Sequence, residues 1–255
     1  MVSLLFVLTL LLGSLGYSAH SNYRYKISEY GVDEYTAGLW HFDEGCGYIV
    51  YDETPNYNDG TLQNGASHLN ITAPIIGSRY SINFDGVDDS IKILDSSSLD
   101  IANQITVEAW IYVDDSLNTY PARIVSKWQT NNWWTGRSYL LQLVDYTGEP
   151  NHVGFWIRNT IQPGTNDQDG AVSTHQIPIN KWVHVAGVFN GTDIMVYVNG
   201  KLEGTKHFPV SIYNSITNLG IGADVDDPNQ YNFKGYIDEV RISNKARSPS
   251  EFNVP

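Results

Sequence analysis

Ile194-Met195-Val196-Tyr197-Val198-Asn199-Gly200-Lys201-Leu202-Glu203-Gly204 alternates apolar side chains up to an Asn-Gly pair. In an extended chain successive side chains point to opposite faces. Ile194, Val196 and Val198 therefore share one face, and Met195 and Tyr197 the other. Asn199-Gly200 tolerates positive φ at both central positions, as the tight turn between antiparallel strands requires. Upstream, Asn190-Gly191-Thr192-Asp193 is a second turn, and Trp182 to Phe189 a second strand. Trp182 to Leu202 thus reads as an antiparallel meander. Both faces are apolar, which predicts a mid-sheet position in a two-layer sandwich.

The same punctuation runs outward in both directions. Short apolar runs separated by turn residues every ~8–12 positions predict a sandwich or barrel. Toward the N-terminus the runs are 38–42, 48–51, 80–84, 90–93, 105–113, 123–128, 139–144 and 153–157. Toward the C-terminus they are 219–222 and 235–242. Only Pro249-Ser250-Glu251-Phe252 reads as helical, as a single turn. No repeat or second domain interrupts the series.

Composition agrees with β structure. The 255 residues are 42% hydrophobic and 13% aromatic, with 17 Tyr and 7 Trp, a payload that disordered chains lack. The formal net charge of −13 repels phosphate backbones and anionic lipid. It argues against nucleic acid as a partner, favours divalent cations and leaves neutral glycans open. The lone cysteine, Cys46, permits no intrachain disulfide. Within Gly45-Cys46-Gly47 it reads as a small buried residue, the alternative being a bridge between chains.

Met1 to Ala19 carries no charged side chain, and Val2 to Leu12 is almost wholly apolar. The run is short for a membrane span and is followed by small residues, the pattern of a secretory signal peptide over 1–19. No Lys or Arg precedes it, so an uncleaved anchor is the alternative. The expected product is secreted, with no membrane insertion once the signal is removed. Residues 20–36 are polar and Tyr-rich and read as a linker or loosely docked N-terminal arm. Residues 37–255 form the domain. Asn70-Ile71-Thr72 and Asn190-Gly191-Thr192 are glycosylation sequons in expected loops.

Five stretches, in order, resemble the LamG-like jelly-roll domains of the concanavalin A-like lectin/glucanase superfamily. They are Gly38-Leu39-Trp40-His41-Phe42-Asp43-Glu44-Gly45; Asp52 with Asn58-Asp59-Gly60-Thr61-Leu62; and Phe84-Asp85-Gly86-Val87-Asp88-Asp89-Ser90-Ile91. They continue with Lys181-Trp182-Val183-His184-Val185-Ala186 plus Tyr197-Val198-Asn199-Gly200, and close with the run from Phe233 to Ile242. The resemblance implies an all-β, two-sheet antiparallel sandwich with the first and last strands side by side. It implies little about function, because this fold hosts lectins, enzymes, adhesins and spacers.

That topology would bring Asp43, Glu44, Asp52, Asp59 and Asp238 to one spot. Calcium takes six to eight oxygen ligands, so a structural Ca²⁺ is expected there. The alternative is that Asp43 and Asp52 cap turns and Asp238 meets Arg241 or a backbone amide. Asp85, Asp88 and Asp89 follow a strand and read as turn-capping. Asp224, Asp226 and Asp227 read as a solvated loop or a weak metal site.

Trp128, Trp133, Trp134, Tyr139, Tyr146 and Trp156 crowd the middle of the chain. Trp133 and Trp134 lie in a loop by composition. Indole faces stack on pyranose rings, and Asn, Gln and Asp bind hydroxyls. Trp128, Asn131, Trp133, Trp134 and Tyr139 are thus the candidate ligand-binding residues, while Trp40, Trp110 and Trp182 read as core. The glucanase branch of the family usually presents Glu-x-Asp-x-x-Glu on one strand, which this chain lacks. Asp238 and Glu239 fall on opposite faces of a strand and cannot act as a pair. His184, in an apolar strand, reads as a satisfied core residue. The chain therefore reads as a non-catalytic binder of a glycan or glycoprotein. An adhesive surface protein that binds other protein chains and associates with itself is the alternative, and a diverged glycosidase or lyase a weaker one.

Overall fold

Asn199 and Gly200 adopt φ of 48° and 73°. The strands they join, Asp193–Val198 and Lys201–His207, pair antiparallel with Val198 opposite Lys201. This is the positive-φ hairpin that the Asn-Gly pair demands. The computed structural model describes residues 27–114, 120–132, 135–159, 168–226 and 231–254. The leader Met1–Ala19, the first part of the arm and the pair Trp133 and Trp134 lie outside the described residues.

Two eight-stranded sheets stack face to face. The first runs, edge to edge, Gln168–Val172, Glu149–Arg158, Arg137–Tyr146, Ala122–Trp128, Leu219–Ile221, Ser90–Ile93, Gly60–Gln63 and Ile49–Val50. The second runs Lys201–His207, Asp193–Val198, Trp182–Phe189, Ile105–Val113, Lys234–Ser243, Ser81–Asp85 and Ser67–Leu69. Thr36–Trp40 pairs with the far half of Lys234–Ser243. All pairing within the two sheets is antiparallel. Trp40 lies opposite Val240, and Leu39 opposite Arg241. The first and last long strands are thus neighbours, as the family resemblance implies. Among the described residues the only helical turns are short 3-10 segments, Ser97–Leu99 and Pro249–Glu251.

One large apolar core fills the space between the sheets. Trp40, Phe42, Ile91, Ile111, Tyr139, Leu141, Phe155, Val185 and Ile237 belong to it, each nearly inaccessible. Tyr139, Leu141 and Leu143 point inward from one strand, and Val153, Phe155 and Ile157 from its neighbour. Strand alternation therefore turns Leu140, Gln142, Gly154 and Trp156 outward.

The outer face of the second sheet is covered. Tyr197, Ala186 and Val188 pack under Phe252, and Trp110 packs with Ala73 and Ile75. Ile27–Ser28 runs parallel to Ile75–Ile76. Tyr30 is buried, and its hydroxyl donates to Glu108 Oε2 and to the Phe252 carbonyl, both at 3.1 Å. Glu108 also meets His184 Nε2 at 3.0 Å and Arg241 Nε at 2.8 Å. Burial alone would raise the Glu108 pKa, but the His184 hydrogen bond and the Arg241 charge outweigh it and hold the carboxyl low. From Ile27 onward the arm is therefore part of the fold, more tightly held than its polar composition predicts. Among the described residues, the first sheet's outer face carries no second apolar cluster of this kind.

Three local expectations are corrected. Lys201–His207, the meander's third strand, is a sheet edge, so only the first two lie mid-sheet. Cys46 is exposed; positive φ at Gly45 and Gly47 puts it in a turn. Asp224 is buried, not solvated.

Candidate functional site

Trp156 stands outward near the C-terminal end of Glu149–Arg158, between Leu140 on one neighbouring strand and Gly170 on the other. A Cβ on Gly170 would lie 2.6 Å from the indole ring, and one on Gly154 would lie 2.1 Å from it. Such distances are closer than atoms can approach, so the two glycines are what lets the indole lie across the sheet. The ring is half-buried, with one face toward a trough of about 420 Å³. That volume suits one or two sugar rings, and sites of this size bind small molecules.

The trough is lined by Pro121, Arg123, Trp128, Thr130, Arg137, Leu140, Gln142, Trp156, Gln168 and Tyr231. Arg123 sits over the Tyr231 ring at 4.2 Å, and Arg137 over the Trp128 ring at 5.2 Å, which orients both guanidinium planes. Arg123 Nη1 donates to Gln142 Oε1, and Nη2 to Thr130 Oγ1 at 3.1 Å. Arg137 donates to Gln168 Oε1 at 2.8 Å and to the Thr130 carbonyl at 2.9 Å. Thr130 in turn donates through its hydroxyl (2.9 Å) and its amide (3.1 Å) to Asp224 Oδ2. Arg123 and Thr130, both in the lining, are thus linked to the buried Asp224 behind it. Burial pushes Asp224 up to about 6, the Arg123 charge opposing the rise. Burial also lowers Arg123 to about 10, which leaves it charged at neutral pH. Arg123 Nε and Asp224 Oδ1 are buried with no hydrogen-bond partner, a donor and an acceptor not satisfied by the fold.

Of the expected ligand-binding residues, Trp128 lines this trough. Asn131 is exposed in the turn that follows Thr130. Tyr139 is a correction: it faces the core between the sheets, and its hydroxyl donates to the Leu99 carbonyl at 3.2 Å. Sequence reasoning missed the parity of the neighbouring strand. Val153, Phe155 and Ile157 take the inner face, so Trp156 and Gly154 must take the outer one. Arg123, Arg137, Gln142, Gln168 and Tyr231 carry no local signal, because register alone gathers them from separate strands.

The five carboxylates expected to share a calcium ion each accept hydrogen bonds from the fold. Asp52 is buried and accepts from Leu39 N, Thr54 N, Thr54 Oγ1 and Asn58 N at 2.8–3.0 Å. Asp59 accepts from Asp52 N at 2.9 Å. Asp43 accepts from the amides of Arg79 and Tyr80 at 2.6 and 2.9 Å, and Glu44 from Tyr51 N at 2.7 Å. Asp238 Oδ2 accepts from Ala73 N and Ser78 Oγ, both at 2.9 Å, while Oδ1 is buried with no partner. Burial pushes this carboxyl up to about 8, with the Glu239 charge adding to the rise and the Ala73 amide opposing it. Asp43 and Glu44 line one acidic cleft with Glu29 and Glu53. Among the described residues, however, only Asp85, Asp88 and Asp89 bring three metal-ligating oxygens within 4.8 Å of one another. No three of the five carboxylates gather in this way. Asp85 caps its turn by accepting from Val87 N at 2.7 Å.

A larger cleft of about 580 Å³ lies between Tyr35, Ser98, Asn103 and Asn244. It offers one aromatic ring, and Lys245 sits over that ring at 4.9 Å, so it lacks a stacking platform.

A laminin G-type family model, described as the Concanavalin A-like lectin/glucanases superfamily, matches residues 85–253. Domain 4 of AbnA, a GH43 extracellular arabinanase from Geobacillus stearothermophilus, was solved in complex with arabinotriose. It is similar to this chain with a TM-score of 0.63 at 20% identity, covering 86% of this chain and 97% of that one. The binding domain of Paraclostridial Mosquitocidal Protein 1 gives 0.65 at 12% identity, over 86% and 51%. The binding domain of botulinum neurotoxin DC, solved in complex with SialylT, gives 0.59 at 13% identity, over 86% and 50%. This chain therefore spans about half the length of the toxin domains. At such identities the likeness is one of fold. No curated protein sequence matches the chain.

Proposed function

Because the chain belongs to the concanavalin A-like lectin/glucanases superfamily, and because the outer face of its first sheet carries an aromatic trough, we propose that it is a carbohydrate-binding module that works without catalysis. The observation that carries this reading is the outward Trp156, held flat by Gly154 and Gly170. It is an apolar platform bordered by amides, a hydroxyl and two guanidinium groups. Sugar recognition needs this combination: a flat face for the C–H side of a pyranose and fixed polar groups for its hydroxyls. Two similar structures, the arabinanase domain and the toxin binding domain, were solved in complex with arabinotriose and with SialylT.

A binding role is favoured over hydrolysis by the lining itself. Among the described residues it contains no Asp or Glu, whereas glycosidases flank the scissile bond with two carboxylates. The apolar leader at Met1–Ala19 supports secretion. A glycan array on the folded protein tests the reading: retained glycans support it, and none retained refutes it.

A second reading, adhesion between protein chains, has one local support. Tyr48, Tyr51 and Tyr57 are 76%, 55% and 78% exposed around the short edge strand Ile49–Val50. Exposed aromatics at a sheet edge suit contact with another protein. Sedimentation across a concentration series distinguishes this reading: assembly supports it, and a strict monomer counts against it.

A further inference from the structure

We propose that the trough's ligand is an acidic sugar, one bearing a carboxylate or a sulfate, an inference that rests on the carbohydrate reading above. The chain's net charge of −13 would by itself predict the opposite, since an acidic surface repels an anionic ligand. The trough departs from that average. It is built around two guanidinium groups, Arg123 and Arg137, each 4% exposed.

The hydrogen bonds of Arg123 go to neutral acceptors, Gln142 Oε1 and Thr130 Oγ1. Among the described residues no carboxylate lies within 4.0 Å of it, although the chain has 28 Asp and Glu. Its Nε has no acceptor. The nearest acidic group in the hydrogen-bond chain, Asp224, stands behind Thr130 and gives Oδ2 to Thr130 rather than to Arg123. Burying a charge is costly, and Asp224 offsets that cost only from behind Thr130, with no direct contact to the guanidinium. Other buried cations here are treated differently. Arg241 meets Glu108 at 2.7 Å, Arg247 meets Asp33 at 2.7 Å, and Lys127 meets Asp95 and Asp100. Each of those neutralised cations serves structure. Arg123 lines the trough, where an anion from outside can supply the direct ionic partner that the other buried cations find within the fold.

The shape of the site fits the same ligand. Arg123 and Arg137 both reach Thr130, one at its hydroxyl and one at its carbonyl, so their charges converge at one end of the trough. Trp156 takes the ring, and that end takes the anionic substituent. Carboxylate and sulfate share the planar or tripodal oxygens that guanidinium groups bind well.

The test is calorimetric titration of the full chain with matched oligosaccharides of equal length. An oligogalacturonate and a sulfated chondroitin fragment serve as acidic probes, and a galactose oligomer and a desulfated chondroitin fragment as neutral partners. At low salt an acidic probe is expected to bind at least about tenfold more tightly than its neutral partner, and the gap should close as salt is raised. R123Q should remove the preference, so that an acidic probe and its neutral partner bind alike. The wild-type salt series decides the question if R123Q fails to fold. Equal or tighter binding of the neutral probes overturns the acidic assignment and leaves the carbohydrate reading standing. Failure of all four probes, together with an empty glycan array, overturns the carbohydrate reading and this inference with it.

Discussion

The indole of Trp156 occupies the space that a side chain on its cross-strand partner Gly170 would fill, with ring atoms 2.6 Å from the position of a Cβ there. Neither Gly170 nor Gly154 has a positive φ, so their backbone tolerates any residue. What excludes a larger residue is the ring. G170A should keep the fold and tilt the indole away from the sheet. Glycan affinity is expected to fall by about tenfold, in line with weakening one aromatic anchor worth more than 1 kcal/mol, with little change in melting temperature. Unchanged affinity would show that the flat ring is not the platform.

Asp224 gives the trough a pH dependence. Its carboxyl titrates near 6, and Thr130 links it to Arg123. As pH rises through that value the carboxylate behind Thr130 gains charge and lowers the positive potential at Arg123. Binding of an acidic sugar should therefore weaken from pH 5 to pH 7. D224N, fixed in the neutral form, should bind equally at both. Titration calorimetry at the two pH values reads the difference.

Asp238 sets a stability trend of its own. Its folded pKa, about 8, is raised above the unfolded value by burial. A carboxyl raised in this way contributes stability that is complete below its unfolded pKa and lost as pH rises through the folded one. The loss runs from about pH 4 to pH 8, on the order of 1.4 kcal/mol per pH unit. D238N mimics the protonated acid, because its single carbonyl oxygen can still accept from Ala73 and Ser78. The variant should melt higher than wild type at pH 9 and no higher at pH 4. Parallel melting curves would contradict this.

Calcium provides a separate test of the seam between the first and last strands. Because backbone amides already occupy the Asp52 carboxylate, D52A should destabilise the fold by several kcal/mol, at ~1–3 for each buried partner left unsatisfied. The loss should be the same with calcium or with chelator. A calcium-dependent rise in wild-type melting temperature that D52A or D238N abolishes would restore the shared cation.

Much of the fold was legible because alternation and turn chemistry act locally. The hairpin at Asn199-Gly200 and the strands at Ile105–Val113 and Trp182–Phe189 follow from their own residues. The edge strands Gln168–Val172 and Lys201–His207 did not stand out. An edge has few core contacts to make, so its sequence is polar, as in Lys-Leu-Glu-Gly-Thr-Lys-His. The carboxylates show the limit from the other side. Proximity of the end strands could be read from the motif order, yet Asp52 and Asp238 were expected at a metal and are held by loop amides. Which lone pairs the backbone consumes depends on loop conformation, which no residue pattern states. The trough was harder still: Trp128 could be singled out, but Arg123, Gln142 and Tyr231 meet only through strand register.

The most direct test of the trough as a sugar site is glycan binding by the wild type and W156A, compared on one array and followed by titration of the best ligand. The account predicts that the wild type retains a defined glycan, and that W156A loses at least about tenfold in affinity while its melting temperature stays close to that of the wild type. Undiminished binding by a folded W156A would contradict it and place the ligand elsewhere on the molecule.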